Sequence, residues 1–436
     1  VDNQTETQKI VIVGGGAAGL ELATYLGRKL GKKKLAEIIL IDATTTHIWK
    51  PLLHEVAAGT LDESEQVEYL AQAHRNHFRF RLGKMEGLNR EKKEIYVSPT
   101  FNDKGEELIP RRTFSYTTLV MSIGSVSNTF NIKGVDQHCL FLDTTTQAFK
   151  FQKELFESYL KNYIGNDLAQ VRPLSIAIVG AGATGVELAA QLHEVTDVLA
   201  IYGLKEPSNV KLTIIEAATQ LLPALPDKLA NATLQQLVKL GIDLKLGRRV
   251  IEVDRHGIKT HDDEFIAADI KVWAAGIKAP DWIKNLDGLE TNHINQLIVD
   301  STLKTSDDDI FAMGDCAACQ WPDHKGNIPP RAQAAHQQAT ALGQSIINRV
   351  KGNKDALVKF VYYDYGSLVS LGKYTTVGNL MGNLMGSVSV GGFIAKMVYL
   401  SLYKMHQIAI HGYYRTALLT LSNLFRRSAY IKIKMH

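Results

Sequence analysis

Short apolar runs rich in β-branched residues, each stopping at a glycine or an acid, alternate along this chain with longer stretches whose apolar positions recur every three or four residues. The runs at residues 9–13, 37–41, 118–122, 175–179, 212–216 and 270–276 have the length and composition of buried parallel strands. Residues 20–30 and 186–202 have the longer period of helices, as does a segment after 150 that runs into a loop near 170. From about residue 295 the pattern changes. The segment DIFAMGDCA predicts a strand ending at Gly314 and Asp315, and the double proline before RAQAAHQQATALGQSIIN opens a helix. Residues 366–392 are glycine-rich and contain the repeat GNLMGNLM (378–385), which predicts turns and short strands. The alternation predicts an α/β protein in which a first domain (1–170 and 295–385) is interrupted by a second (171–294), with 386–436 as a separate C-terminal region.

The stretch VIVGGGAAGLELAT at 11–24 returns as AIVGAGATGVELAA at 177–190, identical at nine of fourteen positions. Three glycines of a G-x-G-x-x-G pattern stay in register: Gly14, Gly16 and Gly19 against Gly180, Gly182 and Gly185. A strand, a glycine turn and a helix N-terminus together make an anion site. The first glycine permits the turn, the second admits a pyrophosphate close to the backbone, and the third lets helix and strand pack. Two matched copies in matched contexts predict two Rossmann-like dinucleotide-binding domains. The carboxylates that bind ribose hydroxyls at the end of each second strand would be Asp42 and Glu216. The charge of Glu216 would repel a 2′-phosphate, so NADH is expected over NADPH. Asp315 is placed to hold a second, extended part of a cofactor.

A length of 436 residues, with 45% apolar and 22% charged residues, suits two or three globular domains. Three cysteines, Cys139, Cys316 and Cys319, exclude a disulfide scaffold and fit a reducing compartment, and the polar VDNQTETQ start predicts no export. Cys316 and Cys319 form a C-x-x-C without a second pair, and His54-Glu55 lacks the second His that a zinc motif needs, so no metal site is expected.

The net charge of +4 is unevenly spread. Residues 365–436 hold eight Lys or Arg and no acid, leaving 41 basic against 45 acidic groups before them. Lys396, Lys404, His411 and Arg415 interrupt every apolar run there, so no segment reaches the length of a spanning helix. A stripe of Ile394, Met397, Val398, Met405 and Ile408, a break at Gly412, then ALLTLSNLFRR predict an amphipathic, interfacial helical region lying on anionic lipid. A core or homodimer helix competes with that reading. Nucleic acid would suit the charge, but no reading motif is present.

The two glycine units, the strand-glycine endings at Gly124 and Gly276 and the late Gly314-Asp315 resemble the two-dinucleotide-binding-domain flavoproteins. Within that superfamily HIWKPLLHEVAAGTLD (47–62), GATGVELA, LLPALP (221–226), IKVWAAGIKAP (270–280), GDCA and AQAAHQ resemble the type II NADH:quinone oxidoreductases, most closely the bacterial branch. These are single-subunit, non-pumping NADH dehydrogenases. The resemblance implies non-covalent FAD held by Gly14, Gly15, Gly16, Ala17, Gly19, Asp42, Lys50, Gly124, Asp315, Ala332 and Gln333. It implies NADH at Gly180, Gly182, Ala183, Gly185, Glu187, Glu216, Ala275 and Gly276. The family's AQxAxQ motif matches Ala332, Gln333, Ala335 and Gln337. It puts Gln333 and His336 beside flavin and quinone, with Gln337 on the same helical face and Glu187 near nicotinamide and flavin; Glu21, its twin in the first unit, leaves open whether Glu187 is partly a feature of the fold. The implied enzyme is a peripheral one on the cytoplasmic face of the inner membrane, passing hydride from NADH to FAD and two electrons to membrane quinone. A soluble NADH-dependent ferredoxin or dye reductase, or a non-enzymatic redox sensor, would share the nucleotide sites but not the AQAAHQ match or the acid-free tail.

Overall fold

The computed structural model describes residues 7–61, 66–102, 104–164, 173–201, 210–223, 225–322, 324–370, 376–380, 388–391 and 393–429. Strand β1 (Gln8–Val13), helix α1 (Ala17–Lys29) and strand β2 (Ala36–Asp42) open the chain; helix α2 (Tyr69–Asn76), β3 (Arg79–Leu82) and β4 (Thr118–Met121) follow. Helix α3 (Thr145–Ile164) leads to a second parallel sheet of β5 (Leu174–Val179), β6 (Val210–Ile215), β7 (Asp243–Lys245) and β8 (Ile270–Trp273), with helix α4 (Ala183–Ile201) directly after β5. The chain then returns, and β9 (Ile310–Ala312) pairs with β4. The orders are β9-β4-β1-β2-β3 and β7-β6-β5-β8. In both sheets the glycine-motif strand lies between its unit's second strand and a late one, so the repeat in sequence is also a repeat in topology.

Parallel sheets need cover on both faces, which is why β1 reads as unbroken Ile-Val-Ile: Ile10, Val11 and Ile12 are wholly buried. The second core recruits Phe151 and Leu155 of α3 together with Leu53 and Val56. The first core picks the chain up again at Ala279 and Ile283, ahead of residue 295, just after Ile277–Lys278 pairs antiparallel with Val126–Ser127 in a two-stranded sheet of their own.

Helix α5 (Ala332–Val350) packs along α1, where Gly343 admits the ring of Tyr25. Short antiparallel strands Gly366–Ser370, Thr376–Leu380 and Val388–Gly391 follow, as the glycine-rich pattern predicts; residues 381–385 of the repeat lie outside the described residues. Helices α6 (Phe393–His411) and α7 (Tyr413–Ala429) meet at Gly412, whose φ of +81° suits the break.

Only Met405 and Ile408 of the expected α6 stripe have described side chains. The side chains of Ile394, Met397 and Val398 lie outside the described ones, Met405 is exposed and Ile408 half-buried. His406, Gln407 and Ile410 are buried instead, and the Arg28 guanidinium of α1 donates to the carbonyls of Ala409 and Ile410 at 3.2 and 2.6 Å. Polar positions turn inward because α1 offers partners for them. Among the described residues α7 carries an open apolar face: Tyr414, Leu418, Leu421 and Phe425, at helical spacing, are 77, 49, 52 and 75% exposed.

Candidate active site

Each crevice begins where a glycine strand ends. Gly14 turns with φ of +98° and Gly180 with +108°; a Cβ on either would collide with the backbone of the neighbouring strand's end, at Ser122 and Ala274. A Cβ at Gly19 would meet the Gly14 carbonyl, and one at Gly185 the Gly180 carbonyl. Gly16 and Gly182, in contrast, face open space. No side chain caps the N-terminal amides of α1, which leaves those donors for an anion. Gly15 is constrained by a different neighbour, the Tyr69 ring.

Asp42 and Glu216 take equivalent positions despite their different distances from the glycines. Asp42 Oδ2 accepts from Gly15 N at 2.6 Å and Oδ1 from Thr44 N at 2.8 Å. Glu216 Oε2 accepts from Ala181 N at 2.7 Å and Oε1 from Ala218 N at 2.9 Å. Each carboxylate draws in its own glycine loop.

A second group closes the first crevice. Lys50 Nζ donates to the carbonyl and hydroxyl oxygens of Ser125 at 2.8 and 3.1 Å, and Ser125 Oγ donates to Asp315 Oδ2 at 2.8 Å. Gln338, buried, accepts from Gly314 N at 2.7 Å. Gly124 and Gly314 have φ of +71° and +72°, and a Cβ on Gly314 would just touch Ala18 and Ala335. The starts of α1 and α5 therefore converge on the Gly314-Asp315 turn. An uncapped helix start, open space at Gly16, and a Lys–Ser–Asp chain across the same crevice fit an extended dinucleotide such as FAD.

The motif at the start of α5 is divided between two neighbours. Gln333 donates to Asp364 Oδ1 and the Gly366 carbonyl at 3.1 and 3.0 Å and accepts from Tyr365 N; Gln337 exchanges two hydrogen bonds with the Tyr363 backbone. Both amides hold the 363–366 segment. His336 turns instead to α1, its Nδ1 2.5 Å from Glu21 Oε2. Donating to Glu21 raises the His336 pKa against the opposing effect of burial.

Glu187 is buried at the position in α4 that Glu21 occupies in α1, and its carboxylate lies 3.6 Å from His54 Nδ1. Burial pulls His54 down to about 4, so it meets Glu187 as a neutral ring. In the second unit Gly276 turns with φ of +63° against the Phe130 ring, and the Ala275 carbonyl accepts from Trp273 Nε1. Ala17, Ala183 and Ala332 are the first residues of α1, α4 and α5. Burial pushes the Cys316 and Cys319 thiols up to about 12 and about 11, and both donate to backbone carbonyls. Among the described residues no group of three or more His, Cys, Asp or Glu is gathered as for a metal.

Sequence reasoning did not single out Ser125, Gln338, His47 or His406. Only the identity of Glu21 and Glu187 within the repeat hinted that the first deserved the same scrutiny as the second.

Two parallel sheets that each place a glycine loop and an acid at their carboxyl edge define a nucleotide-dependent oxidoreductase architecture, and the profile of the pyridine nucleotide-disulphide oxidoreductases matches residues 8–339. Among solved structures, NDH2 from Plasmodium falciparum in complex with NADH superposes with a TM-score of 0.83 at 20% identity, covering 99% of this chain and all of that one. The sulfide:quinone oxidoreductase of Aquifex aeolicus shares the fold with a TM-score of 0.71 at 16% identity, over 93% of this chain and 92% of that one. A type II NADH:quinone oxidoreductase of Haemophilus influenzae is 42% identical over 98% of this chain and 100% of its own length. One of Staphylococcus saprophyticus is 29% identical over 86% and 90%. The chain belongs to the pyridine nucleotide-disulphide oxidoreductases and, within them, to the type II NADH:quinone oxidoreductases.

Proposed function

We propose that this protein oxidises NADH at the second crevice and reduces quinone beside the first, without moving protons across the membrane. The observation that carries the reading is the convergence of the α1 start, the Gly314-Asp315 turn and the α5 start on one crevice. FAD, when bound there, supplies hydride acceptance from NADH and two-electron transfer to quinone.

The chain's own residues do the rest. The α1 amides and Gly16 hold the flavin pyrophosphate, Asp42 its ribose, and the Lys50–Ser125–Asp315 chain its ribitol side. Gly180–Gly185 and Glu216 hold NADH, with the Glu216 charge turning away a 2′-phosphate, and Glu187 with Gly276 lines the approach of the nicotinamide. Gln333 and Gln337 hold the 363–366 segment that positions the quinone headgroup, and His336 protonates it. Among the described residues no helix is long and apolar enough to cross a membrane. The Tyr414, Leu418, Leu421 and Phe425 face of α7, with Arg415 exposed beside it, lays the protein on anionic lipid at the cytoplasmic face of the inner membrane.

The direct test is turnover by purified, FAD-loaded protein with NADH and a short-chain ubiquinone, on liposomes. NADH oxidation that reduces a dye but no quinone would overturn the reading in favour of a soluble-type reductase.

A further inference from the structure

Glu21 is buried inside the first helix of a nucleotide unit, where a charged residue is costly without partners. Two imidazoles, 70 residues apart in the chain, share it: His336 Nδ1 on Oε2 at 2.5 Å and His406 Nδ1 on Oε1 at 2.6 Å. His406 Nε2 lies 2.9 Å from His47 Nε2, and a hydrogen bond to the Gly15 carbonyl engages the other side of His47. Burial and the His406 charge hold His47 well below the ordinary histidine range, so it is neutral. With its proton on Nδ1, its Nε2 accepts. His406 thus bridges the His47 ring and the Glu21 carboxylate through its two ring nitrogens. Burial alone would raise the Glu21 carboxyl, but the two histidines outweigh it and keep it ionised.

We infer that Glu21 and His406 are positioning residues of one proton store, which sets when His336 carries the proton that quinone reduction consumes. The inference rests on the reading that places His336 at the quinone. The balance is NADH + H⁺ + quinone → NAD⁺ + quinol, so one proton comes from outside the nicotinamide. It leaves His336 Nε2 for a quinone oxygen and is replaced from solvent, which the ring reaches at 30% exposure.

Other ionisable groups face this trio from the elements packed against it. Tyr69 of α2 is kept a neutral phenol by burial and by Asp42, and burial with the Arg75 charge pulls His411 to about 4. Arg28 and Arg415 add to that lowering of His411, and Arg331 is paired with Asp364 on the far side of Gln333.

One carboxylate serving two imidazoles makes the variants act in opposite directions. Glu21 favours the proton on His336, so Glu21→Gln should lower the His336 titration and move the alkaline limb of quinone reduction down by roughly 1 to 3 pH units. His406 competes with His336 for the Glu21 carboxylate, so His406→Gln should move both up, by roughly 1 pH unit.

The experiment is an NMR titration of histidine-labelled, FAD-loaded full-length protein in detergent, with the His336 signal assigned by its loss in His336→Gln. The pH profile of kcat is measured on the same samples. Opposite shifts in both readouts support the inference. Shifts of the same sign, or none, overturn it, because a purely structural role gives no sign reversal. Opposite NMR shifts with a stationary kinetic limb overturn it through its premise, the donor role of His336. If Glu21→Gln does not retain flavin, the upward shift in His406→Gln decides alone.

Discussion

At the scale of single residues, Glu216 shows how much one side chain decides. One oxygen accepts from the glycine loop at Ala181 N and the other from Ala218 N, and the proposed role of the carboxylate is to receive the adenosine ribose. Glu216→Gln keeps the size and removes the charge that opposes a 2′-phosphate. The ratio of kcat/KM for NADPH to that for NADH should rise about tenfold, equivalent to ~1.4 kcal/mol. Steady-state kinetics with both nucleotides checks this, and an unchanged ratio would remove Glu216 from specificity. Lys50 acts through Ser125 on Asp315. Lys50→Met should weaken FAD retention by about tenfold, read as flavin fluorescence released on dilution, with apoprotein folding unchanged by circular dichroism.

At the scale of elements, α6 and α7 have different jobs although the sequence writes them in similar letters. Helix α6 belongs to the body: Ile410 is 1% exposed within the first core and Arg28 caps the carbonyls beside it. Ile410→Ala should cost about 2–5 kcal/mol, seen as a lower thermal midpoint, whether or not lipid is present. Helix α7 belongs to the surface. Replacing Leu418, Leu421 and Phe425 together with Ser should abolish co-sedimentation with anionic liposomes while leaving the midpoint and dye reduction in place. If binding survives, α7 is not the contact. Removing the whole tail would confound these effects, because it would also take His406 and Ile410 from the core.

At the scale of the whole molecule, what was legible in sequence was what local spacing encodes. The glycine turns, the strands that feed them and the acids that follow lie within one strand-turn-helix-strand unit, and their geometry follows from sterics that reach a few residues. The repeat therefore predicts two Rossmann-like units from local spacing alone. The two faces of the C-terminal helices were harder to read, since apolar periodicity marks a face that wants cover without saying which neighbour supplies it. The AQAAHQ helix forms where the sequence predicts it; spacing gives Gln333, His336 and Gln337 a common face, but only packing shows that the 363–366 segment takes the two glutamines and helix α1 takes His336.

By itself, then, the sequence determined the fold class, the pair of dinucleotide crevices and the family, because these depend on contacts between near neighbours and on motifs that tolerate no other residue at a few positions. Tertiary structure alone decided that Glu21 joins His336 across 315 positions and His406 across 385. Buried charges are satisfied by whatever partner the packing brings within 3 Å, and no periodicity records that partner in advance.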